Sequence, residues 1–314
     1  MKICIQTGGY VKRYGYEIGL KKIKEAGFSS LDLGLDGART GFIPSELKGH
    51  LNEGTCIYER SLDEIAEFWR PFTDEIARQG LEVYQAHAPF PAYIPDFPEL
   101  LDYSIDIYKK LLYFCQRIGC KRIVIHGISL QRADTAHSQE DIDRMNDHLY
   151  TSLIDTLNRT DVTVCLENLF THYSVNNYQG ICSDPSDAIR LIDRYNALAG
   201  KECFGICVDT GHLNLLGIDP YAYITQLGSR VKAFHIHDNR GIADQHLAPY
   251  TGNIDWDRFC RAVHAIGYMG DLSFETFRQV SKDVVPDPII ADLYLGLIAN
   301  IGKRFIERIE NEFD

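Results

Sequence analysis

Four short apolar runs in the second half of the chain each end on a side chain that binds metals or moves protons. They are VCLE at Glu167, GICVD at Asp209, VKAFH at His235 and LSFE at Glu275. Side chains alternate between the two faces of a strand, so counting back by twos shows which residues share the terminal residue's face. Cys165 and Thr163 lie with Glu167, Cys207 and Gly205 with Asp209, Ala233 with His235, and Ser273 with Glu275; all are small. The other parity carries Val164, Leu166, Ile206, Val208, Phe234, Ile236, Leu272 and Phe274, which are bulky enough to pack under helices. Parallel strands covered by helices hold their ligands at the carboxyl ends, so four such strands side by side aim two Glu, one Asp and one His at a single point.

The same reading along the whole chain predicts strands near 2–7, 30–34, 81–87, 121–126, 162–167, 203–209, 230–237 and 270–276. Between and after them, amphipathic helices are predicted near 16–26, 61–79, 99–118, 139–159, 185–195, 219–227, 255–266 and 287–309, several entered through cap residues such as Ser61, Ser138, Asp184 and Asp219. Eight strand-helix repeats predict an α/β protein: a single (β/α)8 TIM barrel occupying 1–314 as one domain. Long loops follow strand two (Asp36 to Arg60), strand three (Ala88 to Pro98), strand five (Asn168 to Ser183) and strand seven (Asp238 to Ile254), all on the carboxyl side. Such barrels keep lids and specificity residues there.

Composition narrows the partners. With 45% hydrophobic and 24% charged residues the chain reads as an ordinary globular protein, and its net charge of -12 argues against a polyanionic partner such as nucleic acid. The nine cysteines sit at no zinc-ribbon or disulfide spacing and read as small buried hydrophobes in a reducing compartment. MKICIQTGG starts a strand at once, and no apolar run approaches the ~20 residues of a membrane span, so a cytoplasmic protein without membrane contact is expected.

Further polar residues gather at the same end. His87 closes EVYQAH and His126 closes RIVIH, while DTGH puts His212 in the turn after strand six. The loop after strand seven holds His237, Asp238, Arg240, Asp244 and His246. A lone strand-end histidine is usually structural, but two beside a carboxylate cluster form a candidate site.

The motifs ENLF, CVDTGH, FHIHDN, DQH, GNIDW and GYMGDLSFE resemble the xylose isomerase-like barrels, which include sugar (phosphate) isomerases and epimerases and the endonuclease IV-type AP endonucleases. The resemblance to ketose 3-epimerases implies one divalent metal held by Glu167, Asp209, His235 and Glu275, with His212 on the substrate and Arg240 near, though not in register with, their substrate-binding Arg. It also implies a ketose or keto-sugar substrate. A second substrate-binding Glu of those enzymes is Tyr173 here, so the particular ketose does not carry over. The endonucleases hold three zinc ions, and their ligands all have matches: His87, His126, Glu167, Asp209, His212, His235, Asp244, His246 and Glu275. Against phosphodiester cleavage of abasic DNA stand the missing basic tract and unlike loops after strands five and seven.

The chemistry of the ligand set favours a sugar isomerase or epimerase. Moving a hydrogen next to a ketose carbonyl needs a base, an acid and stabilisation of an enediolate, and Glu167 and Glu275 are the expected acid-base pair. Three carboxylates with one imidazole suit manganese, with magnesium, cobalt or zinc as alternatives. His87, His126, His212, Asp244 and His246 are expected to bind substrate or further metal, and Asn168 and Asp238 to orient ligands. A metal-dependent lyase or deglycosidase and a non-catalytic sugar sensor are the other classes the pattern admits. A homo-oligomer is expected.

Overall fold

The computed structural model describes residues 1–35, 56–129 and 137–313; most of the expected long loop after strand two, 36–55, lies outside them. Eight parallel strands run β1 (Ile3–Gln6), β2 (Ser30–Gly34), β3 (Glu82–His87), β4 (Arg122–Val124), β5 (Thr163–Glu167), β8 (Phe204–Asp209), β9 (Val231–His235) and β10 (Leu272–Phe274), each hydrogen-bonded to the next as far as β9, with β10 paired to β1. Past the end of β9, Ile236 N donates to Ser273 O at 2.8 Å and Glu275 N donates to Ile236 O at 3.0 Å, joining β9 to β10 and bringing the sheet round into a barrel. The architecture is the (β/α)8 barrel predicted from the repeats.

The two-faced strands behave as their patterning requires. Val164, Leu166, Ile206, Val208, Phe234, Ile236, Leu272 and Phe274 all enter the core between barrel and helices. Burial of each such side chain stabilises the fold by roughly 1.5–3 kcal/mol before chain entropy is counted. Inside the barrel Val124, Cys165, Cys207 and Ala233 form a separate small cluster beneath the strand ends. Small inward side chains let the strand ends close over a compact interior, and all nine cysteines are buried.

Helix starts follow the expected capping chemistry. Ser61 and Ser138 complete reciprocal capping boxes with Glu64 and Asp141, and Asp184 and Asp219 accept from N–H groups of the first turn. Several elements differ from the sequence reading. A helix at Gly8–Tyr14 precedes the one at Tyr16–Ala26, the segment expected as 139–159 breaks into Gln139–Thr151 and Ile154–Leu157, and DTGH opens a helix at Thr210–Leu215. The loop after β5 contains an antiparallel hairpin, β6 (Phe170–Tyr173) and β7 (Asn176–Gln179). Among the described residues no helix is long and apolar enough to cross a membrane.

Candidate metal centre and active site

His235 organises the site. From the end of β9 its Nε2 lies 3.1 Å from Asp32 Oδ2, on the inner face of β2, and its Nδ1 faces the opposite way, buried and without a hydrogen-bond partner among the described residues. A carboxylate behind one ring nitrogen fixes the tautomer and leaves the other as a free lone pair, the arrangement that prepares an imidazole for a cation. Around that nitrogen stand Glu167 Oε1 at 3.3 Å and Glu275 Oε2 at 3.6 Å, and Asp209, His235 and Glu275 offer ligand atoms all within 4.8 Å of one another. A buried lone pair facing several carboxylates fits a divalent cation, and these four residues are the set expected from the sequence.

Asp32 is a site residue that the strand-end pattern does not mark. It is fully buried, and Gln85 Nε2 donates to the same oxygen that meets His235. Asp32→Asn is expected to weaken divalent-metal affinity by about 10–100-fold with the fold retained, measured by metal titration of the stripped protein. Unchanged affinity would remove the positioning role.

Two histidine groups flank the centre. His87 Nδ1 donates to Ala88 O at 2.8 Å, so its Nε2 turns inward, 3.0 Å from His126 Nε2; His126 Nε2 is 2.9 Å from Glu167 Oε2. On the other side His212 Nδ1 donates to Asn168 O at 2.9 Å and His246 Nδ1 to Glu275 O at 3.0 Å. Carbonyls can only accept, so each of these rings also presents Nε2, with Asp244 Oδ2 at 2.8 Å from His246 and 3.8 Å from His212. His237, fully buried, puts Nε2 3.0 Å from Asp209 Oδ2. All nine residues matched to the endonuclease ligands therefore gather at one end of the barrel.

Local structure explains the convergence. Asp209 caps the Thr210–Leu215 helix by accepting from His212 N at 2.7 Å, and its backbone N–H and C=O are both held by the Asn168 side chain. Thr210 Oγ1 donates to His237 O at 2.7 Å, tying this helix to the end of β9. Asp238 accepts from Trp256 Nε1 at 3.1 Å and from Gly252 N at 3.0 Å, which shapes the loop carrying Asp244 and His246. Asn168 thus orients a ligand's backbone, whereas Asp238 acts through the loop. Arg240 is exposed, and its backbone N–H donates to Gln245 Oε1 at 3.0 Å.

The charges interlock. Burial by itself raises a carboxylate's pKa, yet His235 and His126 outweigh it and hold Glu167 well below the ordinary range; His212 and His237 lower Asp209 in the same way. Burial lowers an imidazole's pKa, but Asp209, Asp244 and Glu167 outweigh it at His212, raised to about 10, and Glu275 and Asp244 raise His246 to about 9. The carboxylates thus stay ionised, and protons on His212 and His246 balance part of their charge.

Aromatic rings edge the site. Phe90 lies 4.5 Å from the His126 ring, Phe170 5.0 Å from His212 and Phe277 4.3 Å from His246, between centroids. Trp256 is buried away from these rings, stacked on Phe305 and donating through Nε1 to Asp238.

Residues 20–292 match the family model described as xylose isomerase-like TIM barrel. The chain belongs to that family. It is 29% identical over 176 residues to the uncharacterized protein y4fM of Sinorhizobium fredii, covering 55% of this chain and about half, 52%, of that protein. A ketose 3-epimerase of Arthrobacter globiformis is 30% identical over 115 residues, 36% of each chain. Among solved structures, a D-allulose 3-epimerase from Methylomonas sp. superposes with a TM-score of 0.71 at 14% identity, over 97% of this chain and 98% of the other. The IOLI protein with a bound zinc atom gives 0.63 at 16% identity, over 100% and 99%. At these identities the two structures establish the shared fold.

Proposed function

We propose that the chain is a divalent-metal-dependent isomerase or epimerase of ketoses or keto-sugars, in which Glu167 and Glu275 are the acid and base of an enediolate reaction. The observation that carries this reading is the approach of both carboxylates, from the non-adjacent strands β5 and β10, to the one unpartnered nitrogen of His235. Glu167, Asp209, His235 and Glu275 would hold the cation, which when bound supplies Lewis-acid stabilisation of negative charge on the substrate oxygens. The likeness to the Arthrobacter ketose 3-epimerase supports the reaction class.

The two carboxylates differ in setting. Glu167 is sealed between His126 and His235 and stays anionic, ready to accept a proton from carbon; Glu275 faces an open cavity and is placed to exchange a proton with the other side of the substrate. If both act, the carbon inverts; if one carries the proton between neighbouring carbons, the carbonyl moves. His212, through Nε2, is positioned to hydrogen-bond a substrate hydroxyl, and Arg240 is assigned to the outer substrate contact. Manganese is the assigned metal, with magnesium, cobalt or zinc compatible with the donors.

The test is exchange of solvent deuterium into a panel of ketoses. Manganese-loaded protein is expected to label the carbon next to the carbonyl, chelation to stop labelling, and manganese to restore it. A metal-replete protein that labels no sugar would sink the assignment and revive the sensor reading. The convergence of His87 and His126 on one side, and of His212, Asp244 and His246 on the other, also favours a second reading with further ions and phosphodiester cleavage. Metal content separates the two: one tightly held ion supports the sugar enzyme, and three zinc ions with cleavage of abasic DNA support the nuclease.

A further inference from the structure

The last helix, Pro288–Asn311, is apolar on two sides. One side is spent on the core, where Ala291, Leu295, Ile298, Ala299, Gly302 and Phe305 are buried. The other faces outward: Ile289 is 69% exposed, Ile290 43%, Leu293 64% and Leu297 44%. Ile290, Leu293, Leu297, Asn300 and Arg304 follow one another at alternating steps of three and four residues, and all are exposed. Such a seam packs into the grooves of another helix, here with Ile and Leu as the knobs over its first half. Beside it Lys22 donates to Asp292, and Ile18, one turn before Lys22 on the Tyr16–Ala26 helix, is 53% exposed. Together these side chains expose about 500 Å² of apolar surface, the size of the largest patch on a typical monomer, where such surface marks a contact site.

The shape and charge of the seam select its occupant. A helix that lies on a bilayer needs a broad apolar face flanked by cations, whereas this seam is narrow and its amino end carries Asp283 and Asp287 against the single Lys282. The nearest lysines, Lys21 and Lys22, are paired with Glu25 and Asp292, and the net charge of -12 repels an anionic surface. A second copy of the chain fits. With the two helices antiparallel across a two-fold axis between Leu293 and Leu297, each Leu293 meets the partner's Leu297, and each Asp287 comes opposite the partner's Lys303. A parallel pair would set Asp287 on Asp287 and Lys303 on Lys303 and align the helix dipoles. Two such patches bury on the order of 1,000 Å² of apolar surface, which with a polar rim reaches the roughly 1,200–2,000 Å² of a stable interface.

We propose that the chain forms a two-fold homodimer through the Ile290–Leu293–Leu297 seam, with the two Pro288–Asn311 helices antiparallel. None of these residues lines the cavity beside Glu275, so the interface does not depend on the isomerase or epimerase reading.

Sedimentation equilibrium of the full 35.7 kDa chain is expected to give twice that mass at micromolar concentration. Leu293→Glu and Leu297→Lys, both at exposed positions and checked for folding by circular dichroism, are each expected to weaken the dimer about 100-fold or more, because each sets a charge against a leucine. Mixed in equal amounts, the two variants are expected to associate again: across the axis the new carboxylate meets the new ammonium, and the remaining pair is leucine on leucine. A parallel pair gains nothing from mixing, since position 293 then meets position 293. A monomeric wild type overturns the interface, and co-sedimentation of that monomer with phosphatidylglycerol vesicles assigns the face to a membrane instead. A dimer that survives both substitutions is held elsewhere and overturns it equally, and variants that dissociate singly but fail to recombine overturn the antiparallel register.

Discussion

Glu275→Gln is expected to lower turnover by about 10³-fold or more while leaving the protein folded. Removing a general acid or base costs typically 10²–10⁴-fold, and this side chain is also an expected metal ligand. The fold should tolerate the change because the contacts that hold this position are made by its backbone: Glu275 N–H donates to Ile236 O and its C=O accepts from His246 Nδ1. Glutamine keeps the shape and faces the cavity, so no buried group loses its only partner. Glu167→Gln should behave differently. Its carboxylate is sealed against His126 and His235, and an amide there removes the carboxylate nearest His126 and one of the three around His235, so stability of the metal-free protein should fall together with activity. Thermal melts of both stripped variants, set beside deuterium exchange at the carbon next to the carbonyl, separate the effects. Near-normal turnover of Glu275→Gln would refute the assigned role.

What the sequence reveals about this site follows from how each residue is held. Glu167, Asp209, His235 and Glu275 are legible because strand alternation is local: small residues two and four positions back mark the inner face, and a polar residue at the end of that face has no other place to point. Asp32 obeys the same rule, since Ser30, Asp32 and Gly34 share the parity opposite Leu31 and Leu33, but it lies in mid-strand, where an inward carboxylate makes sense only once His235 is known to sit above it. Which histidines meet which carboxylates is not local at all. It depends on the barrel closing through Ile236 and Ser273, and on the Thr210–Leu215 helix folding back over β9. The β6–β7 hairpin is hidden for another reason: its two-residue turn is Ser174-Val175, with Ser174 at φ 57, where an Asn-Gly or Asp-Gly pair would have announced it. The Gly8–Tyr14 helix opens on two glycines, whose intrinsic helix propensity is lower than that of every residue but proline.

The glycine in DTGH has a physical role that pattern alone does not expose, and Gly211→Ala is expected to damage both stability and metal binding. A Cβ at this position would lie 1.9 Å from His237 Cε1 and 2.5 Å from its Nδ1. The ring has nowhere to retreat. It is fully buried, its Nε2 is on Asp209 Oδ2 at 3.0 Å, and its own backbone is held by Thr210 through a 3.0 Å bond to the His237 N–H. Alanine in a helix gains roughly 0.5–1 kcal/mol over glycine, whereas forcing a methyl into a packed interior costs about 1–3 kcal/mol or more, and a separation this short places the loss at the upper end. A fall in Tm of several degrees is therefore expected, read by calorimetry on the metal-free protein. Any shift of His237 also drags Asp209, so divalent-metal affinity should drop in the same variant. The double variant Gly211→Ala with His237→Ala supplies the control: removing the ring vacates the space the methyl needs, so the combined loss of stability should be smaller than the sum of the single losses. Additive losses would show that the close approach of Gly211 to His237 is not what the glycine is for.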